Sequence, residues 1–209
     1  MFIIKLPVSL GEAVDKLTIL DIKLERITDN RKKDVETEYT ILYEELKDFI
    51  QKYNELYCSM KKVNTIIWDM MDILRDGNVS DEVYMKVCKE CIEYNDIRFR
   101  IKNKINILSK SELKEQKSYK INRLLIEIDA SISIEDCKKC IQYISFFYDE
   151  VIIIYNSYID VQIFDSTIII IKEMNMDNTI DYKKKIVLLN LLNIYETFEI
   201  TESEIERLL

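Results

Sequence analysis

Histidine is missing from all 209 residues. Ser-His-Asp and Cys-His nucleophile systems are thereby excluded, as are imidazole metal sites. Gly11 and Gly77 are the only glycines, so neither a Walker phosphate loop nor a GxGxxG dinucleotide turn can be built. Pro7 is the single proline, and Ala13 and Ala130 are the only alanines, against 36 isoleucines. That skew is the mark of an A/T-rich genome, but the exclusions hold whatever its origin. Apolar runs such as Val151 to Ile154 and Thr167 to Ile171 fall far short of the roughly 18 residues that a membrane span requires. The start, MFIIKLPVSLGEAVDK, has no basic stretch ahead of its apolar residues and no small-residue cleavage site. A secretory signal is therefore not expected, and the cytoplasm is the expected location.

What is present is the balance of a soluble globular protein, 48% hydrophobic and 33% charged. A chain of this length can bury roughly 70% of its surface. The formal charge of −8 is unevenly spread: residues 1–120 hold 22 basic and 22 acidic side chains, and residues 121–209 hold 8 and 16. Such asymmetry predicts two segments, and the overall acidity argues against nucleic acid as a partner.

The periodicity predicts an α+β protein. In SLGEAVDKLTILDIKLERI, Ser9 and Glu12 form a capping box, and Leu10, Ala13, Leu17, Leu20, Leu24 and Ile27 recur at helical steps. A second helix is expected from Asp29 or Asn30 through DVETEYTILYEELKDFIQKYNEL. A third spans KKVNTIIWDMMDILRD and ends at Gly77, and a fourth runs from about Asp81 to Leu108, capped by Asn78 or Ser80. These form a helical bundle over residues 1–118, closed by the polar linker SKSELKEQKSYK. Residues 119–209 form a small acidic α/β unit with a βαβ core. Its strands are RLLIEID and EVIIIYN, and between them SIEDCKKCIQYISFFY is helical. VQIF and TIIII add strands, DYKKKIVLLNLLNIYETF adds a helix, and a last short helix is capped by Thr201 and Glu204.

Three groups of side chains carry candidate chemistry. On a wheel at 100° per residue, Asp69, Asp72 and Asp76 share one sector of the third helix, and Asp21 and Glu25 lie near the apolar arc of the first. Converging carboxylates on helices can hold Mg²⁺ or Mn²⁺. The fourth helix offers Asn95, Arg98, Lys102 and Asn106 on one stripe. Two readings follow: an inter-helix network in which Asp72 or Asp76 meets Arg98, or a pocket in which Arg98 and Lys102 clamp a phosphate. From Arg98 to Arg123 nine basic residues face two acidic ones, a run that fits a solvated helix end and linker more simply than an RNA strip. The units CKEC (Cys88, Cys91) and CKKC (Cys137, Cys140) suggest a four-thiolate zinc site. Both sit at i, i+3 in helical pattern, where small buried hydrophobes are the simpler role. No resident cofactor is expected from these residues.

LPVSLGEAVDKLTILDIKLERI, KKVNTIIWDMMDILRD and YNDIRFRIKNKINILSKSELKEQKSY, in that order and spacing, resemble the bacterial and viral family catalogued as domain of unknown function 6165. The resemblance covers about residues 3–119. It implies that Gly11, Asp15, Lys16, Glu25, Asn64, Trp68, Asp72, Arg75, Asn95, Asp96, Arg98, Lys102, Asn106, Lys117 and Tyr119 occupy positions of the family pattern. That pattern reads glycine before its serine-glutamate tail, where this chain has Ser109 and Lys110. The family carries no established activity, and its members look like companions of surface-glycan biosynthesis genes.

The function expected on these grounds is that of a non-enzymatic interaction or accessory protein with a protein partner, the acidic α/β unit supplying a surface. The alternative is a Mg²⁺-dependent, carboxylate-rich enzyme acting on a phosphorylated small molecule or nucleotide sugar.

Overall fold

A computed structural model of the chain describes residues 5–118, 121–155, 168–171, 184–188 and 202–209. It has helices followed by a small parallel sheet, an α+β fold. The chain divides into two compact units, Met1–Glu115 and Gln116–Leu209.

The first unit contains four helices: α1 (Leu10–Arg26), α2 (Lys32–Lys52), α3 (Asn54–Asp76) and α4 (Asp81–Leu108). The hydroxyl of Ser9 caps α1 by accepting from the Glu12 amide at 3.2 Å, and Ser80 caps α4 by accepting from Val83. Gly77 closes α3 with φ 69°, the left-handed conformation that a residue without Cβ takes freely. The expected second helix does not run on to Leu56. It stops at Tyr53 (φ −126°, ψ 44°), and α3 begins at once, seven residues earlier than the sequence pattern places it. Apolar periodicity continues across this single-residue break, which is why it leaves no trace in the spacing.

α1 is the centre of the unit. Val14, Leu17, Leu20 and Ile22 are buried on several of its sides, because α2, α3 and α4 all pack against it. Bonds from Gly11 to Asn106, Glu12 to Lys102 and Asp15 to Arg98 make α1 and α4 antiparallel. The approach is close: a Cβ on Gly11 would lie 2.5 Å from the Lys102 carbonyl oxygen. At 1.5 Å per residue α4 is about 42 Å long and α1 only about 26 Å. The buried residues of α4 accordingly cluster at Ile97, Ile101, Lys102, Lys104, Ile105 and Asn106, with Val87 alone before them. Its N-terminal half, ahead of the residues that bond α1, packs along α3, and α1 ends at Arg26, which reaches Asp69 of α3.

After α4 the chain turns through Lys110, whose φ of 54° is left-handed. The Lys110 amide donates to Ile107, and the Ser111 amide to Asn106 at 2.9 Å. A turn therefore forms where the family pattern places glycine, with a side chain in a conformation that costs roughly 1–2 kcal/mol.

The second unit holds β1 (Arg123–Ile128), α5 (Lys138–Ile144), β2 (Glu150–Tyr155), β3 (Ile168–Ile171), β4 (Lys184–Leu188) and α6 (Glu202–Leu208). The four strands are all parallel, in the order β3-β2-β1-β4. The βαβ core is present, with Leu125, Ile152 and Ile154 packed together. TIIII forms β3. One element differs: Lys184–Leu188, expected within a helix, is a strand in register with β1 from Leu124↔Lys184 to Ile128↔Leu188. A short apolar run such as IVLL fits either state, and the open edge of β1 decides it. The rest of that expected helix, VQIF and the capping Thr201 lie outside the described residues. α5 is also shorter than expected: it begins at Lys138 with Cys137 at its N-cap position, and the Ser133 hydroxyl ahead of it donates to Glu135.

Replacing Lys110 by glycine removes the left-handed strain but adds chain entropy to the unfolded state. The net expectation is a gain of about 0.5–1 kcal/mol in urea unfolding. A loss of stability would show that the Lys110 side chain contributes more than its backbone costs.

Candidate functional site

The candidate side chains of the helical unit and their partners fall into two inter-helix clusters and one exposed stripe. The first cluster centres on Asp15, a carboxylate with 3% exposure on the packed face of α1. Arg98 of α4 grips it bidentately, Nε donating to Oδ1 at 2.7 Å and Nη2 to Oδ2 at 2.6 Å. Asn64 of α3 donates from Nδ2 to the same Oδ1 at 2.9 Å and to the Thr18 hydroxyl at 2.9 Å. That hydroxyl donates to the Asp15 carbonyl at 2.8 Å. One turn away, the Lys102 ammonium lies 2.7 Å from Glu12 and 2.5 Å from Glu115. Asn106 completes the set by accepting the Gly11 amide at 2.7 Å, which meets one of the orphan donors of the first turn of α1.

The Asp15 bonds hold the Arg98 guanidinium above its ordinary value, and they outweigh the burial that opposes its charge. Burial pulls Lys102 down, but its bonds to Glu115 and Glu12 together raise it. Both cations are thus held charged by carboxylates of their own unit.

The second cluster lies where α1 meets α3. The Tyr57 hydroxyl donates to Asp21 at 3.0 Å, and Lys61 lies 2.8 Å from Asp21 and 2.7 Å from Glu25. Burial, reinforced by the Asp21 charge, pushes the Tyr57 phenol far above its usual range. Lys61 is raised as well, its bonds to Asp21 and Glu25 outweighing burial.

The aspartates of α3 do not join either cluster. Asp69 pairs with Arg26 at 2.9 Å, Asp72 stands 3.6 Å from Arg75 of its own helix, and Asp76 accepts from Asn78. All three are exposed, as is Asn95 on α4. The expected meeting of Asp72 or Asp76 with Arg98 is therefore corrected: the partner of Arg98 is Asp15. Helix register is the physical reason. α1 bonds α4 at residues 98–106, whereas Asp69, Asp72 and Asp76 lie further along α3, where only Arg26, the last residue of α1, reaches Asp69. Asp21 and Glu25 face Lys61 instead of joining those aspartates.

Among the described residues no three cysteines or carboxylates gather to hold a metal ion. Cys88 and Cys91 are half-buried on α4, and Cys137 and Cys140 are buried in the second unit. Burial, then neighbouring Cys140 and Asp136, push the Cys137 thiol up to about 11, the opposite of a thiol activated for exchange.

The sheet reverses its winding between β1 and β4, the point at which open parallel sheets admit ligands. The loop leaving β1 there is folded on itself. Asp129 Oδ1 accepts from the Ser131 amide at 2.9 Å and from its hydroxyl, and the Tyr155 hydroxyl donates to the Ile132 carbonyl at 2.7 Å.

Comparison of the chain with protein-family models, with curated proteins and with solved structures finds no match. The resemblance to domain of unknown function 6165 rests on the motifs alone. Of its pattern positions, Gly11, Asp15, Asn64, Arg98, Lys102 and Asn106 are the ones that meet in the first cluster.

Asp15→Ala leaves the Arg98 charge half-buried and unmatched, and a loss of about 3 kcal/mol is expected in urea unfolding. Adding Arg98→Met should restore part of that loss, whereas strictly additive effects would show that the two side chains do not interact. The alkaline limb is a second check. Tyr57, Lys61 and Lys102 have folded-state values raised above ordinary ones of 10.0 and 10.5. Their contribution is whole below those values and is lost as pH rises through the folded ones, since the unfolded chain releases its protons first. Stability should hold steady to about pH 9.5, fall above about pH 10, and fall less steeply in Tyr57→Phe. An identical decline in that variant would remove Tyr57 from the account.

Proposed function

We propose that this protein is a non-enzymatic interaction protein that binds a basic, apolar-striped helix of a protein partner on the free end of the α3–α4 hairpin. The carrying observation is the exposed apolar stripe on the half of α4 beyond α1. Met85 and Ile92 stand seven residues apart on one line of the helix, 56% and 66% exposed, with Tyr84 beside them and Ile73 exposed on α3. Single exposed apolar residues are ordinary, but a spaced row along one helix is a docking face.

Charge specifies the chemistry of the occupant. Residues 69–94 hold seven acidic side chains, Asp69, Asp72, Asp76, Asp81, Glu82, Glu90 and Glu93, against Arg75, Lys86 and Lys89. The hairpin end thus carries a net −4, half of the formal charge of the chain. Asp81 lies one turn before Met85 on the same stripe. A cationic helix with apolar residues at i, i+3, i+4 and i+7 complements that surface, and its approach is accelerated by the field.

The same bonding pattern speaks against the Mg²⁺-dependent enzyme. A clamp for a phosphorylated substrate needs open donors, and Arg98 and Lys102 are each held by carboxylates of their own unit. No helix among the described residues is long and apolar enough to cross a membrane. The tie to surface-glycan biosynthesis rests on the resemblance alone.

The test uses affinity capture from the source cells with wild-type protein and with Met85→Asp/Ile92→Asp, whose far-ultraviolet circular dichroism should match. A partner retained by wild type, released by salt and lost from the variant is expected. Capture of the same partner by both proteins would overturn the assigned surface. Stabilisation of the protein by Mg²⁺ together with a nucleotide or sugar phosphate would favour the enzyme instead.

A further inference from the structure

Three neighbouring sulfur-bearing side chains of the α3–α4 hairpin, Met71, Cys88 and Cys91, belong neither to the partner surface nor to the ionic clusters. Cys91 of α4 places its sulfur 4.0 Å from the thioether sulfur of Met71 on α3. Cys88 lies one turn before Cys91 on the same helix, where residues three apart are neighbours on the surface. All three are half-buried, the two cysteines between the packed line of α4 through Val87 and its exposed line through Met85 and Ile92. They can be reached from solvent, unlike Cys137 and Cys140.

We infer that Cys88, Cys91 and Met71 form a three-sulfur site for a soft monovalent metal ion, Cu(I) being the physiological one. Two thiolates and a thioether are the donors that select Cu(I). Zn²⁺ asks for four nitrogen, oxygen or thiolate ligands in a tetrahedron. A trigonal centre with metal–sulfur bonds of about 2.3 Å separates its sulfurs by about 4.0 Å, the spacing already present between Cys91 and Met71. The ion replaces the protons of the two thiols, Met71 adds a lone pair, and two protons leave for each Cu⁺ bound. The site passes from neutral to a single negative charge. Because binding releases protons, affinity rises with pH. This site does not depend on the partner-binding reading.

The test is an anaerobic titration of the reduced full-length chain with Cu(I) against a coloured Cu(I) chelator. The protein carries Cys58→Ser, Cys137→Ser and Cys140→Ser, so that only the two hairpin thiols remain. One equivalent should be retained, with release of two protons. Cys88→Ser or Cys91→Ser should abolish retention, and Met71→Leu should weaken it about tenfold or more, a loss on the scale that removing even an outer partner of a metal brings. Circular dichroism of each variant controls for folding. X-ray absorption of the loaded protein gives an independent reading: three sulfur neighbours at about 2.3 Å support the site. Retention unchanged by Cys88→Ser or Cys91→Ser, affinity unchanged by Met71→Leu, or two sulfur neighbours instead of three would each overturn it.

Discussion

Three helices meet at one carboxylate. Asp15 comes from α1, the guanidinium that grips it from α4 and the amide that shares its Oδ1 from α3. Desolvating this group is costly, and its bonds compensate only if all three helices hold one register. An apolar stripe tolerates sliding by a turn at modest cost, whereas a bidentate arginine does not. The close seat of Gly11 on the Lys102 carbonyl works in the same direction, since a side chain there would drive α1 off α4.

That arrangement has a consequence for chemistry. Open arginine and lysine side chains can clamp a phosphate, and here Arg98 and Lys102 are neutralised from within by Asp15, Glu12 and Glu115. Lys61 is similarly held by Asp21 and Glu25. The polar interior therefore acts as a scaffold that fixes the hairpin α3–α4 at a set angle to α1. What it presents is the overhanging end, where length mismatch between α4 and α1 leaves Met85 and Ile92 bare. The acidic, apolar tip on that base is the surface on which the proposed partner helix would dock.

Much of this was legible in the residues, and the failures have physical causes. Ser9, Ser80 and Gly77 mark helix ends because capping is local chemistry, decided within a few residues. β1 and β2 stand out as β-branched runs between turns. Lys184–Leu188 does not, because a strand added at a sheet edge owes its state to the neighbour it pairs with, which no local pattern encodes. Arg98, Lys102 and Asn106 meet α1 while Asn95 of the same stripe is exposed, because a wheel gives direction and not depth of crossing. It could not show that Arg98 reaches the second turn of α1 and not the end of α3. Asp15 itself carried a signal that went unused: it lies with Gly11, Thr18 and Ile22 on a buried line of α1, and a carboxylate on such a line requires a partner.

The central claim, that Arg98 is locked against Asp15 and closed to outside anions, is tested most directly by nitrogen-detected NMR of its guanidinium. A resolved Arg98 Nε–H resonance, slow to exchange with water and unmoved by added phosphate, is the result the account predicts. Rapid exchange like that of a free arginine, or a shift that saturates with phosphate, would contradict it.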